Sequence, residues 1–232
     1  MRIAILGGTG DLGKGLALRW ARFHDIIVGS RDEKKAKAFA EDYRKVAKRH
    51  YGDEMKGSIL GYDNFQAAKI SEIIVFSVPY EDLINFTRYL KPFITSDKIM
   101  ISPIVPLNKD EKGYKYTPYP ISDPLNSSSI IYASAAEVIS FELGSKRIVS
   151  TFHTMPAKKL CDLSLSLDCD ALMASDDIEA VDKVSDLISQ IPNLRSIYVG
   201  PLEVSRLLEA LTPLLMNLRH YHKIRDPSIK IV

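Results

Sequence analysis

The sequence predicts an α/β fold organised around a doubly wound parallel sheet. Three observations carry this. Apolar runs and amphipathic helical stretches alternate through the first two thirds of the 232 residues, the order produced by a parallel sheet with helices on both faces. The runs are continuously apolar, as strands covered on both faces must be. A glycine-rich turn, Gly7-Gly8-Thr9-Gly10-Asp11-Leu12-Gly13, joins the first run to the first helical stretch.

Taken in order, Arg2–Leu6 is a buried strand, and Leu12, Leu16, Trp20 and Phe23 then recur at helical spacing. Ile26–Gly29 is a second strand. Asp32–His50 is a charged helix whose apolar stripe is Ala36, Phe39, Ala40, Tyr43 and Ala47. Ser58–Gly61 is a third strand, and Ile73–Ser77 a fourth, stopped by Pro79. Tyr80–Leu90 is a helix ending near Pro92, and Lys98–Ser102 a fifth strand stopped by Pro103. Pro103–Ser129 carries Pro103, Pro106, Pro118, Pro120 and Pro124 and ends Asn126-Ser127-Ser128-Ser129. That composition predicts that Thr117–Ser129 is a mobile lid outside the core. Ala133–Leu143 is a helix and Lys146–Phe152 a sixth strand. A strand at Ala171–Ala174, a helix at Asp177–Ile191 capped by Ser175, a strand at Ser196–Val199 and a long helix at Glu203–His222 complete the chain.

Composition narrows the function classes. Lys+Arg is 31 against Asp+Glu 29, with no basic stripe, which argues against a nucleic-acid binder. The apolar stretch Ile70–Val78 is interrupted by Ser71 and Glu72 and falls well short of a roughly 20-residue membrane span. No signal-peptide layout opens the chain, and Cys161 and Cys169 have neither zinc-site spacing nor a CxxC partner. The expectation is therefore a cytoplasmic protein with reduced cysteines and no metal. Leu207, Leu208, Leu211, Leu214, Leu215 and Leu218 make the last helix apolar over more than one stripe, which predicts a homodimer built on it.

The glycine turn contains GxGxxG as Gly8, Gly10 and Gly13, placed after a strand and opening a helix, the context that gives the pattern meaning. Gly8 suits the tight turn, Gly10 lets backbone approach a pyrophosphate, and Gly13 lets helix pack on strand. The free N–H groups at the helix start, through Thr9, Asp11 and Leu12, suit an anion. The second strand ends Val28-Gly29-Ser30-Arg31, with no carboxylate where a ribose 2′-hydroxyl would need one. Ser30 can donate a hydrogen bond, Arg31 can grip a phosphate, and Lys35 lies one helical turn on. That set favours NADP over NAD; the alternative is a solvated helix start, since Asp32 and Glu33 sit among the same charges.

With these residues in view the chain resembles the F420-dependent NADP reductases. The matching stretches are Gly7–Arg19, Gly29–Ala36, Ser77–Leu83, Ser102–Leu107, Ala135–Val138, His153–Ala157 and Gly200–Asn217, scattered over nearly the whole sequence. The resemblance implies a Rossmann-like NADP-binding domain over residues 1–157. It also implies a small C-terminal α/β domain over 158–232, completing a cleft for the deazaflavin coenzyme F420 and a dimer interface. The implied reaction is direct hydride transfer between nicotinamide C4 and deazaflavin C5, which needs stacked rings more than an acid or base. No nucleophile–base constellation is present. The loops that match the family supply Ser77, Val78 and Pro79, Ile104, Ala136, and His153 with Met155 as cofactor contacts. His153 is either a contact of the deazaflavin or a structural histidine. Lys158, Lys159 and Arg206 are the candidates for holding the coenzyme's acidic tail, or are solvated surface. The stretch from Gly113 to Ala135 is longer than the family pattern. An NADP-dependent reductase of a flavin, a ferric chelate or an imine, and a non-catalytic NADP-sensing module, remain the alternatives.

Overall fold

A computed structural model describes residues 1–123 and 126–232. The N-terminal half alternates strictly: β1 (Arg2–Leu6), α1 (Asp11–Trp20), β2 (Asp25–Ser30), α2 (Glu33–Tyr51), β3 (Ile59–Asp63), α3 (Asn64–Ile70), β4 (Ile73–Phe76), α4 (Leu83–Leu90) and β5 (Ile99–Ser102). Two hairpins follow, β6 (Leu107–Asp110) with β7 (Gly113–Tyr116) and β8 (Tyr119–Asp123) with β9 (Asn126–Ala133). Then come α5 (Ala135–Leu143), β10 (Ile148–Ser150), α6 (Ala157–Cys161), β11 (Cys169–Ala174), α7 (Ile178–Ser189), β12 (Leu194–Gly200) and α8 (Ser205–His222).

Eight strands form one sheet in the order β12-β11-β10-β5-β4-β1-β2-β3. Every neighbouring pair is parallel except β10 with β11, which meet antiparallel at the single bridge Ser150–Ala174. The apolar runs are buried as their composition requires: Ile3–Leu6, Ile73–Phe76 and Ile99–Ser102 are inaccessible to solvent. One core lies under α1, α2 and α7, and includes Leu16, Trp20, Ala40, Tyr43 and Val184. The other lies under α3, α4 and α5, and includes Ala67, Ala68, Leu83, Leu90 and Ile139.

The C-terminal strands continue the same sheet, and side chains fasten them across the antiparallel seam. Arg19, buried in α1, donates to the carbonyls of Leu160 (2.9 Å), Asp162 (2.8 Å) and Leu165 (2.8 Å). Trp20 Nε1 donates to the Leu187 carbonyl in α7 at 2.9 Å.

Three expectations are corrected. The expected lid is a strand hairpin in which Tyr119, Ile121 and the buried Ala133 pack on the second core. Prolines hid the strand alternation; Pro120 is tolerated because a two-stranded ribbon leaves one edge without a ladder. Pro124, also read as part of the lid, lies outside the described residues. The helix expected from Tyr80 opens as a 3-10 turn over Tyr80–Asp82 and becomes α-helical at Leu83. The cap of α7 is Asp177, which accepts from the Ala180 N–H at 2.9 Å, while Ser175 Oγ accepts from the Asp177 N–H at 3.1 Å.

Candidate functional site

The glycine turn sits at the carboxyl ends of β1 and β4. Its left-handed residue is Gly7 (φ +69°), not Gly8, and a Cβ there would lie 2.4 Å from the Ser77 carbonyl oxygen. Gly8 is held by proximity instead: its N–H donates to the Ile5 and Gly29 carbonyls at 3.1 Å each, and a Cβ would meet the Ile5 oxygen at 2.7 Å. A Cβ on Gly13 would come within 2.7 Å of Gly8 Cα, so helix and turn pack backbone to backbone. Gly10 differs from all of these. A Cβ there would meet nothing within 4 Å, so the space beside its backbone is open. Gly10 is also the N-cap of α1 and no side chain caps that helix, which leaves its first N–H groups for an anion.

Two side chains brace the turn that the motif did not disclose. Tyr43 of α2 donates its hydroxyl to the Gly8 carbonyl at 3.2 Å. Asn64, at the start of α3, accepts from the Gly7 N–H at 3.2 Å. Burial pushes the Tyr43 phenol above its ordinary range, so it stays a donor.

Beside the turn opens a cleft of about 760 Å³. Gly7, Thr9, Gly10 and Leu12 form its first wall, and Ser30, Arg31 and Lys35 stand at one end. Ser77 and Val78, which abut Gly7, line the cleft together with Pro79, Ile104 and His153. The lining also takes in Tyr80, Asp82, Phe86 and Thr212, of which only Phe86 lies outside the stretches that match the family. Gly8 and Gly13 shape the turn from behind without lining the cleft.

The Ser30 end is built for a charged group. Ser30 is buried and its Oγ accepts from the Asp32 N–H at 3.3 Å. Asp32 in turn caps α2, accepting from the Lys34 and Lys35 N–H groups at 2.8 and 3.3 Å. The Arg31 guanidinium projects into solvent, 3.8 Å from the Asp82 carboxylate across the mouth. Asp32 is thus committed to its helix, and the cations Arg31 and Lys35 face the opening.

A second hollow of about 270 Å³ adjoins the cleft through His153 and Thr212. Asp11 and Met155 line this hollow and not the main cleft, together with Lys158 and Arg219. His153 is presented between the two by Phe152, which adopts φ 70° and packs edge-on against Trp20 with ring centroids 5.9 Å apart. A non-glycine residue in that conformation is held there by its surroundings. Burial drives the His153 imidazole down to about 3, against a hydrogen bond with Ser102 that opposes the shift. The ring is therefore neutral at physiological pH. Its Nε2 lies 3.3 Å from Ser150 Oγ, and Thr212 Oγ1 donates to its carbonyl at 2.9 Å.

Three expected contacts lie elsewhere. Ala136 is fully buried at the start of α5, and its N–H donates to Glu209 Oε1 at 3.2 Å, so it offers nothing to the cleft. Arg206 is clamped in two hydrogen bonds on Glu137, at 2.7 and 2.6 Å, which satisfies its charge away from the second hollow. Lys159 is exposed and lines neither hollow. Glu209, which the motifs left without a role, is buried beneath three elements. It accepts from the Ala135 N–H (3.0 Å) and from the Tyr116 hydroxyl (3.1 Å) besides Ala136, and burial pushes its carboxyl up to about 8.

The hairpins complete the mouth. Asn217 of α8 exchanges two hydrogen bonds with the Tyr114 backbone, at 2.7 and 2.9 Å. Tyr119 donates to the Tyr80 carbonyl at 2.5 Å, Tyr80 donates to the Thr117 carbonyl at 3.0 Å, and their rings lie 4.1 Å apart. Among the described residues no cluster of His, Cys, Asp or Glu has the makings of a metal site, and no helix is long and apolar enough to cross a membrane.

Comparison with known proteins converges on one group. Residues 2–106 match the family model described as NADP oxidoreductase, coenzyme F420-dependent. A protein named F420-dependent NADP reductase from Methanocaldococcus jannaschii is 38% identical, over 100% of this chain and 98% of its own length. One of the same name from Methanothermobacter marburgensis is 35% identical, again over 100% of this chain and 98% of its own. A crystal structure from Arthrobacter sp. FB24, proposed as an F420-dependent NADP reductase, superposes with a TM-score of 0.76. It is 22% identical and covers 100% of this chain and 99% of that one, which supports the Rossmann-like fold.

Proposed function

The chain belongs to the coenzyme F420-dependent NADP oxidoreductases, and from that premise we propose how its cleft serves hydride transfer between NADP(H) and coenzyme F420. The observation that carries the reading is the pairing of an open glycine cradle with an uncharged, apolar wall in one cleft. Gly10 leaves room for a pyrophosphate where any Cβ would intrude. Ser30, Arg31 and Lys35 at the cleft end suit a 2′-phosphate. Val78, Pro79 and Ile104 offer apolar surface for a nicotinamide ring and exclude water from it. The hydride passes directly between the rings, the proton that balances the deazaflavin reduction being taken up at a ring nitrogen, and the neutral His153 fits a positioning role.

The second hollow, which shares His153 and Thr212 with the first, suits the deazaflavin side, and its Lys158 and Arg219 suit an acidic tail in place of Arg206. Residues 1–157 then serve as the NADP-binding unit and 158–232 as the unit that completes the cleft, divided near the β10–β11 seam. The partner of the chain is a small-molecule redox co-substrate. A homodimer is supported by α8, where Leu207, Leu211, Leu214, Leu218 and Tyr221 follow four–three spacing and Leu207, Leu214 and Tyr221 are exposed. A cytoplasmic location is supported by two cysteines, both free.

The test is NADPH deuterated at C4 in each stereochemical form, with purified F420. One isomer alone passes its label to deazaflavin C5, and rising salt raises KM for F420 by screening the tail. Reduction of a flavin, ferric chelate or imine without turnover of F420 refutes the acceptor. Tight NADPH binding without turnover of any acceptor points to a sensing module. Light scattering that gives a monomer at micromolar concentration refutes the dimer.

A further inference from the structure

Asn64 is 3% exposed, yet it lines the cleft, and half of its side chain has no partner. Its carboxamide oxygen accepts from the Gly7 N–H at 3.2 Å. A backbone N–H can only donate, so this contact fixes the orientation of the amide. The NH2 group is left with no hydrogen-bond partner among the described residues. The nitrogen is not among the fully buried atoms that lack a partner, so the donor keeps access to the cleft that Asn64 lines, where water or a ligand can accept from it.

The position of Asn64 says which part of a ligand it meets. The preceding residue, Asp63, pairs in register with Ser30 on β2. A Cβ on Gly29 would lie 2.6 Å from Asn64 Oδ1, so Asn64 is wedged between the end of β2 and the start of the glycine turn. Arg31 and Lys35 precede and open α2, which packs on the first core, whereas Asn64 opens α3, which packs on the second. The amide therefore approaches the Ser30 end of the cleft from the sheet face opposite the cations.

Resting on the reading of this cleft as a dinucleotide site, we propose that Asn64 donates a hydrogen bond to an oxygen of the adenosine ribose. It also braces Gly7, so one side chain shapes the cradle and registers the sugar in it. Arg31 separates NADP from NAD through the 2′-phosphate, and Asn64 serves both dinucleotides alike.

The experiment measures Kd for NADPH, NADH and 2′,5′-ADP by fluorescence and calorimetry, on the wild type, Arg31→Ala, Asn64→Asp and Asn64→Ser. Asp keeps an oxygen for Gly7 and has no donor, and Ser removes the amide without adding charge. Both Asn64 variants are expected to weaken NADPH and NADH equally, roughly tenfold, the loss of one buried hydrogen bond, and 2′,5′-ADP to the same degree. Wild-type affinity in both variants overturns the proposal. So does weakening by Asp alone, which would be charge repulsion, or a loss confined to NADPH, which would place the amide on the 2′-phosphate. A wild-type chain that does not bind 2′,5′-ADP, or that is unaffected by Arg31→Ala, refutes the dinucleotide reading itself.

Discussion

Substituting alanine at Gly10 and at Gly13 should have opposite consequences, although both belong to one glycine motif. Gly10 adopts φ −88° and ψ 171°, which alanine accepts without strain, and its Cβ would meet no atom within 4 Å. Alanine caps a helix less well than glycine, but it lowers the entropy of the unfolded chain by about 0.4–1 kcal/mol, and the two effects nearly offset. The melting temperature of Gly10→Ala should thus stay within about 2 °C of wild type. The methyl group stands where backbone must approach a pyrophosphate. Losing one charge-assisted hydrogen bond there costs about 1.5–3 kcal/mol, or roughly 10- to 100-fold in NADPH affinity. At Gly13 the added Cβ would press within 2.7 Å of Gly8 Cα. Overpacking of that kind costs about 1–3 kcal/mol, less the ~1 kcal/mol alanine gains inside a helix, so Tm should fall by up to about 8 °C. Calorimetry of the ligand-free variants and fluorescence titration with NADPH measure the two quantities separately. A Gly10→Ala variant that binds NADPH like wild type would refute the placement of the pyrophosphate.

Arg31→Ala should weaken NADPH by about 1.5–3 kcal/mol and leave NADH nearly unchanged. Because Asp82 stands 3.8 Å from Arg31 and has no other ion-pair partner among the described residues, Asp82→Asn should tighten NADPH severalfold at low salt, an effect that vanishes at high salt. Tyr119→Phe removes the hydroxyl bonded to the Tyr80 carbonyl and should lower Tm by about 2–4 °C; an unchanged Tm would return the β8–β9 hairpin to the status of a loose cover. Glu209, pushed up to about 8 in the fold against 4.5 as its ordinary value, binds its proton more tightly folded than unfolded. Its contribution is complete below about pH 4.5 and is lost as pH rises toward 8. Denaturant titrations from pH 5 to 8 should show this slope in wild type and not in Glu209→Gln.

Much of the parallel sheet was legible because burial on both faces leaves an unambiguous mark: Ile3–Leu6 and Ile73–Phe76 have no polar residue to confuse the pattern. The cradle was legible because glycines report backbone proximity, although which glycine turns and which merely touches required coordinates. The hairpins were not legible. Prolines and serines diluted their alternation, and the side chains that anchor them, Asn217 and Tyr80, are distant in sequence. α3 escaped notice, although Asp63 capping Phe65 and Gln66 ahead of Ala67 and Ala68 was a signature to be found. Ala136 and Arg206 were placed in the site by their motifs, but a matching stretch also marks residues that hold such a site together. Glu209 shows why: it collects Ala136, and Glu137 next door collects Arg206.

The single-bridge seam between β10 and β11 bears on how the molecule comes apart. A sheet joined by so little ladder would ordinarily separate into two cooperative units, with amide exchange in β11, α7 and β12 faster than in β1, β4 and β5. Arg19 and Trp20, rooted in the helix that follows the glycine turn, span that break with hydrogen bonds to α6, to the loop that follows it and to α7. Protection should therefore be uniform across the seam in the wild type. It should split into two exchange regimes, and thermal unfolding into two transitions, once Arg19 is replaced by alanine. The helix that would bind the dinucleotide is also the one that makes unfolding a single event, so ligand occupancy should be felt as slower exchange as far away as β12.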